Sequence, residues 1–168
     1  MVLSEVGICN MALAHLGVDR TLTDPGTGLI ADVTDNNAHS RSAQLFYEKC
    51  RDLVLTDYPW PFATKYVELV LLNDGDDEVW SGEWGNAYSK PADCLIVRRF
   101  LTNALPADTS WWQLQVPHDY VSPPFEIKQI DGVEAILTDV SEDMAFIEYT
   151  ALIDDATLYP IRFGFALS

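Results

Sequence analysis

At Pro59-Trp60-Pro61 the hydrophobic pattern of this chain changes period. Before that point apolar residues recur every three or four positions, the spacing of one face of an α-helix. Beyond it, residues 63–72 are dense in β-branched and aromatic side chains, the composition of a strand. A chain divided in this way keeps its helices and strands in separate stretches, which is the α+β class.

In the first stretch Val2, Val6, Cys9, Leu13 and Leu16 form one apolar stripe, with Asn10 and Ala14 off it. The spacing predicts an amphipathic helix with Ser4 as N-cap, Glu5 in the first turn and Gly17 as the residue that ends it. His15 reads as a boundary residue beside the stripe. Residues 21–34 are rich in Gly, Pro, Asp and Thr, strongest at Asp24-Pro25-Gly26-Thr27-Gly28, and predict an exposed loop. A second helix follows, capped by Asp35 or Asn36. Its buried stripe is Ala43, Phe46, Cys50 and Leu53, failing only at Asp57, just before Tyr58-Pro59. Two such helices can pack as a hairpin. Trp60, at the junction, reads as core.

The second stretch predicts strands. Residues 63–72 read as one strand that runs into the acidic turn 73–78, and residues 95–101 read as another after Lys90-Pro91-Ala92-Asp93, with a short helix as the other reading. Residues 125–130 and 133–138 flank Asp131-Gly132, a dipeptide suited to the positive φ angles of a two-residue hairpin turn. A last strand alternates Ala145, Ile147, Tyr149 and Ala151 on one face with Phe146, Glu148 and Thr150 on the other. Asp154, Asp155 or Thr157 can cap a helix entered at Pro160, yet residues 161–168 are too few for a settled helix and still apolar. Either this tail docks on a partner, or relatives continue it with further helical sequence. The resulting division, within one domain, has residues 1–62 helical, residues 63–153 β-rich and residues 154–168 as a C-terminal segment.

With 168 residues, 48% of them hydrophobic and 11% aromatic, the chain has enough apolar side chain for a core. No stretch approaches the roughly 20 apolar residues of a membrane helix, and the opening Met1-Val2-Leu3-Ser4-Glu5 lacks the basic and apolar regions of a signal peptide, so no membrane partner is expected. Three widely spaced cysteines, Cys9, Cys50 and Cys94, argue against a disulfide framework. They read as small apolar residues in a protein made in a reducing cytoplasm, two of them on buried helix faces. The formal charge of −16, from 26 acidic against 10 basic residues, disfavours a module that grips nucleic acid. The same charge would suit a surface past which DNA slides.

Catalytic signatures are missing. The chain has no Gly-rich phosphate loop, no G-x-S-x-G, no H-E-x-x-H and no C-x-x-C. His15, His39 and His118 stand apart without ligands at zinc spacing, and Asp74-Gly75-Asp76-Asp77-Glu78 lacks the alternation of a calcium loop. The sequence points to no catalytic, cofactor-binding or metal-binding residue. Carboxylate pairs are too abundant to single out two for glycoside hydrolysis. Trp80 and Trp84, flanking Ser81-Gly82-Glu83, and the pair Trp111-Trp112 remain as candidate interface residues, because tryptophan in loops serves either as a packed lid or as an interface anchor.

Four segments carry a resemblance. They are residues 8–17 (Ile8-Cys9-Asn10-Met11-Ala12-Leu13-Ala14-His15-Leu16-Gly17), residues 43–52 (Ala43-Gln44-Leu45-Phe46-Tyr47-Glu48-Lys49-Cys50-Arg51-Asp52), the exit Tyr58-Pro59-Trp60-Pro61-Phe62-Ala63, and Tyr88-Ser89-Lys90-Pro91-Ala92-Asp93-Cys94-Leu95. Together they are similar to the head-to-tail adaptor family of short-tailed bacteriophages, also called tail tubular protein A. The resemblance spans most of the first hundred residues, and the strand-rich middle matches that family's β-rich insertion among helices. It implies a non-enzymatic virion protein at the head-tail junction, forming a dodecameric ring. The portal protein would lie above the ring, the tail nozzle protein below, and genomic DNA would pass through without specific binding. The C-terminal end departs from the pattern, since those adaptors continue past the region like Tyr159-Pro160-Ile161-Arg162-Phe163 into further helices.

Two other functions compete with this one. A virion-associated peptidoglycan hydrolase is the alternative, for which no sequence signature is present. An acidic DNA mimic has only the net charge in its favour, because the carboxylates are interleaved with an ordinary apolar pattern.

Overall fold

A computed structural model of the chain describes residues 3–17, 38–73, 84–101, 120–130 and 132–168. The fold is α+β, with helices towards both ends of the sequence and antiparallel strands between them. It divides into two compact units, one of Met1–Ala63 with Leu152–Ser168 and one of Thr64–Ala151. The expected loop 21–34, the caps Asp35 and Asn36 and the acidic residues 74–78 lie outside the described residues.

In the helical unit, α1 spans Glu5–His15. Ser4 caps it, its Oγ accepting from the Gly7 N–H at 3.1 Å, which satisfies one of the donors a helix start leaves open. Gly17, at φ 84°, follows its last turn in the left-handed conformation that costs glycine nothing. The amphipathic stripe expected here is not the buried face. Ile8, off that stripe, is buried, whereas Leu16, on it, is exposed. The physical reason is that α1 is apolar nearly all round, so spacing alone does not select a face.

α2 spans Ala38–Asp57 and departs further from the expected pattern. Its inward face is Tyr47, Arg51 and Leu55, spaced by four, of which Leu55 and Arg51 are buried. Phe46, Cys50 and Leu53, expected in the core, are exposed. Arg51 is tolerated inside because its guanidinium reaches Asp52 at 2.9 Å and Asp154 at 2.8 Å while its stem covers apolar surface. Beyond α2 the Trp60 indole N–H donates to the Val54 carbonyl at 2.8 Å, occupying one of the acceptors a helix end leaves open.

The C-terminal segment returns to this unit. Asp155 caps a single 3-10 turn, accepting from the Thr157 N–H at 2.9 Å, and α3 spans Ile161–Leu167 from its N-cap Pro160. A tail too short to hold a helix alone therefore forms one, because tertiary packing supplies what seven residues lack on their own. Phe163 is fully buried, with the Trp60 and Phe62 rings at 5.1 Å and the Tyr159 ring at 4.6 Å, all edge-on. Gly164 lets the buried Leu3 side chain approach closely, since a Cβ there would lie 2.6 Å from Leu3 Cδ1. α3 packs on both α1 and α2, so the helices meet through it and not chiefly as the expected α1–α2 hairpin.

The β unit holds two antiparallel sheets. In the first, β1 (Thr64–Glu68) and β4 (Cys94–Leu101) flank β7 (Phe146–Ala151). The second has the order β2 (Leu71–Asn73), β3 (Asn86–Ser89), β6 (Val133–Thr138), β5 (Phe125–Ile130). The single strand expected over 63–72 is thus two strands in different sheets. Buried Leu69, whose N–H donates to the Ala145 carbonyl at 2.8 Å, and exposed Val70 make the break. The β5–β6 hairpin forms as expected, with Ile130 opposite Val133 and Gly132 at φ 84°. β7, paired along both edges as the central strand of its sheet, is also buried at every position, so side chains on both of its faces are covered. Cys94 is buried at the start of β4.

Candidate interaction surfaces

In the helical unit, α1 and α2 form the walls of an apolar groove of about 170 Å³, with Leu167 of α3 at its border. Ile8, Cys9 and Leu13 line one wall and Phe46, Tyr47 and Cys50 the other. Little in this groove favours polar chemistry. Burial, with the Glu5 carboxylate nearby, pushes the Cys9 thiol above its ordinary pKa, so it stays protonated and weakly nucleophilic at neutral pH. The Tyr47 hydroxyl is enclosed beside Tyr159 without a hydrogen bond of ordinary geometry, and burial pushes its pKa upward too. Tyr159 directs its own hydroxyl proton to the Ile153 carbonyl at 2.6 Å.

Outside the groove, the solvent side of α2 carries Leu45 and Leu53 at 58% and 60% exposure, Phe46 of the groove wall is itself 54% exposed, and α3 exposes Ile161 and Phe165. Apolar spacing in the sequence picks out Phe46 and Leu53 but places them in the core. The opposing signal is the parallel spacing of Tyr47, Arg51 and Leu55, which a purely apolar criterion rejects because it includes a charge.

The β unit differs in character. It contains 16 acidic and 5 basic residues, a formal −11 of the chain's −16. Its lysines are engaged: Lys65 with Asp93 at 2.6 Å, Lys128 with Glu126 at 3.0 Å, and Lys90 with Glu134. Arg99 on β4 meets the largely buried Glu148 of β7, with Nε to Oε2 at 2.6 Å. A bulge between Val97 and Arg99 brings Arg98 to the same face, where its Nε donates to the Thr150 hydroxyl at 2.8 Å. Burial works to raise the Asp93 pKa, but hydrogen bonds from Lys65 and Tyr149 outweigh it and hold the carboxyl below its ordinary value. Each pairing neutralises a cation locally and leaves the surplus of carboxylates unbalanced.

Of the four tryptophans singled out in the sequence, Trp80, Trp111 and Trp112 lie outside the described residues. Trp84 is half-buried, and its indole N–H donates to Glu126 Oε2 at 3.2 Å, across to β5 of the same unit. Among the described residues no group of three or more His, Cys, Asp or Glu side chains is placed to hold a metal ion. No helix among them is long and apolar enough to cross a membrane. No protein-family model matches the chain, and no curated protein matches it in sequence.

Proposed function

We propose that the chain is a structural, non-enzymatic virion protein, a ring adaptor at the head-tail junction that joins the portal to the tail and lines the DNA channel. The observation that carries the reading is the division of surface between the two units. The helical unit exposes an apolar groove and apolar helix faces, the kind of surface that stable protein partners cover. The β unit bears a carboxylate surplus with its lysines already engaged, a surface that repels DNA phosphates instead of holding them. The similarity of four sequence segments to head-to-tail adaptors joins these two properties in one role.

In this role the protein is made in the host cytoplasm, takes portal and tail nozzle as protein partners, and needs no cofactor. The test is genetic. Removing the encoding gene from its phage should give heads that package DNA but carry no tail when viewed by electron microscopy. Complete, infectious particles without the protein would overturn the reading.

A further inference from the structure

β5 lies at one end of its sheet, so only one of its two edges is paired. The register with β6 fixes which backbone groups that pairing uses. Ile130 and Val133 close the turn, and hydrogen-bonded pairs then recur at every second residue, Lys128 with Ala135 and Glu126 with Leu137. The N–H and C=O groups of Phe125, Ile127 and Gln129 therefore point the other way, out of the sheet edge, and among the described residues nothing bonds to them. The opposite edge strand, β2, is short and irregular in register, and the outer edge of β4 is met by Ser122, whose Oγ accepts from the Phe100 N–H at 2.9 Å. β5 offers a longer and regular edge, a template for another strand.

Its side chains say which strand fits. Ile127 is 40% exposed although Ile136, opposite it on β6, is fully buried. Phe125, on the same face, packs on Phe100 with ring centroids 5.4 Å apart, so this apolar layer runs out to the edge and ends uncovered at Ile127. On the other face Glu126 and Lys128 form an ion pair of 3.0 Å along the strand. A further antiparallel strand must oppose its own outward residues to those of β5. For a second β5, a register centred on Glu126 sets Glu126 against Glu126, and one centred on Lys128 sets Lys128 against Lys128. The register centred on Ile127 overlaps furthest. It puts Ile127 beside Ile127, Phe125 beside Gln129, and each Glu126 opposite the other copy's Lys128 at the closer, non-hydrogen-bonded positions. The two ion pairs, each already formed within its own strand, then join as one cluster of alternating charge.

We propose that two copies of this chain pair β5 to β5, antiparallel about a two-fold axis at Ile127, so that their two sheets become continuous. The contact is isologous, the same edge meeting itself. Carboxylates elsewhere on the two acidic β units repel, but at physiological ionic strength the Debye length of about 8 Å screens those away from the contact. A single strand edge buries little area, so the dimer is weak and reversible. The pairing does not rest on the adaptor reading, because it describes the free chain, whereas a closed ring needs head-to-tail contacts.

Amide hydrogen exchange of the full chain, read residue by residue by NMR across a concentration series at physiological ionic strength, tests the edge directly. The Phe125, Ile127 and Gln129 amides should slow by threefold or more as sedimentation equilibrium shows the dimer forming, while Glu126, Lys128 and Ile130, bonded to β6, stay protected throughout. Ile127→Pro removes an outward N–H at a place where an edge strand tolerates proline, and should weaken the dimer tenfold or more. Lys128→Glu, which sets acid against acid twice, should weaken it about tenfold, and adding Glu126→Lys should restore it to within about threefold. Circular dichroism confirms that each variant keeps its fold. A chain that stays monomeric up to about 1 mM, or a dimer whose Phe125, Ile127 and Gln129 amides exchange as fast as in the monomer, would overturn the proposal.

Discussion

Arg51 of α2 and Asp154, in the segment leading to α3, form an ion pair of 2.8 Å in which the arginine side chain is 8% exposed and the aspartate 74%. The asymmetry decides what the pair contributes. Water screens the exposed aspartate, so the attraction itself is modest. Removing the arginine loses its packed stem together with bonds to both Asp52 and Asp154. Arg51→Ala should cost roughly 1–3 kcal/mol in urea unfolding, and Asp154→Asn less than about 1 kcal/mol. Equal losses would mean that the charge pair outweighs the packing.

The orientation of α2 is tested by two leucines two positions apart. Leu55 is fully buried and Leu53 is 60% exposed. Leu55→Ala should destabilise by about 2–5 kcal/mol through lost burial and a residual cavity. Leu53→Ala should stay within about 0.5 kcal/mol for the monomer. The reverse order, read from denaturation midpoints, would restore the stripe expected from sequence as the inner face.

The three cysteines should label in order of exposure. Cys50 is exposed on α2. Cys9 is half-buried with its thiol pKa raised, and Cys94 is buried with its thiol pushed up to about 11, chiefly by burial. A thiol-specific reagent at neutral pH should give one fast adduct, at Cys50, and modify Cys94 last, since the thiolate is the reacting form. Peptide mass spectrometry identifies the sites, and early modification of Cys94 would contradict its place in the fold.

Acid stability should depend on Asp93. Its carboxyl pKa is lowered in the fold, so its contribution is present above the ordinary value of 3.8 and is lost as pH falls through the lower folded value. Asp93→Asn should therefore lower stability at neutral pH slightly and flatten its fall below about pH 4. Thermal melts at stepped pH measure this. An unchanged acid limb would show that the Lys65 and Tyr149 contacts carry no linkage.

Local signals in the sequence mark the elements but not always their faces or partners. The β5–β6 hairpin, the strand at 146–151 and the Ser4 cap are legible because turn chemistry, alternation and capping act over a few residues. The inner face of α2 is not, since apolar spacing rejects Arg51, which is buried only because Asp52 and Asp154 lie near its guanidinium. β3 leaves no such mark because four residues hold little local preference, and its pairing with β6 joins distant stretches of the chain. The candidate surface is visible in the sequence as an apolar stripe on α2, but spacing places it on the wrong side. Trp84 is engaged with Glu126 inside its own unit, a contact between distant residues that sequence spacing does not foretell.

The adaptor role is tested most directly by negative-stain electron microscopy of the purified chain mixed with the portal ring encoded beside it. An adaptor should add a ring beneath the portal, coaxial with its channel. Portal rings unchanged at saturating concentrations of folded chain would contradict that role.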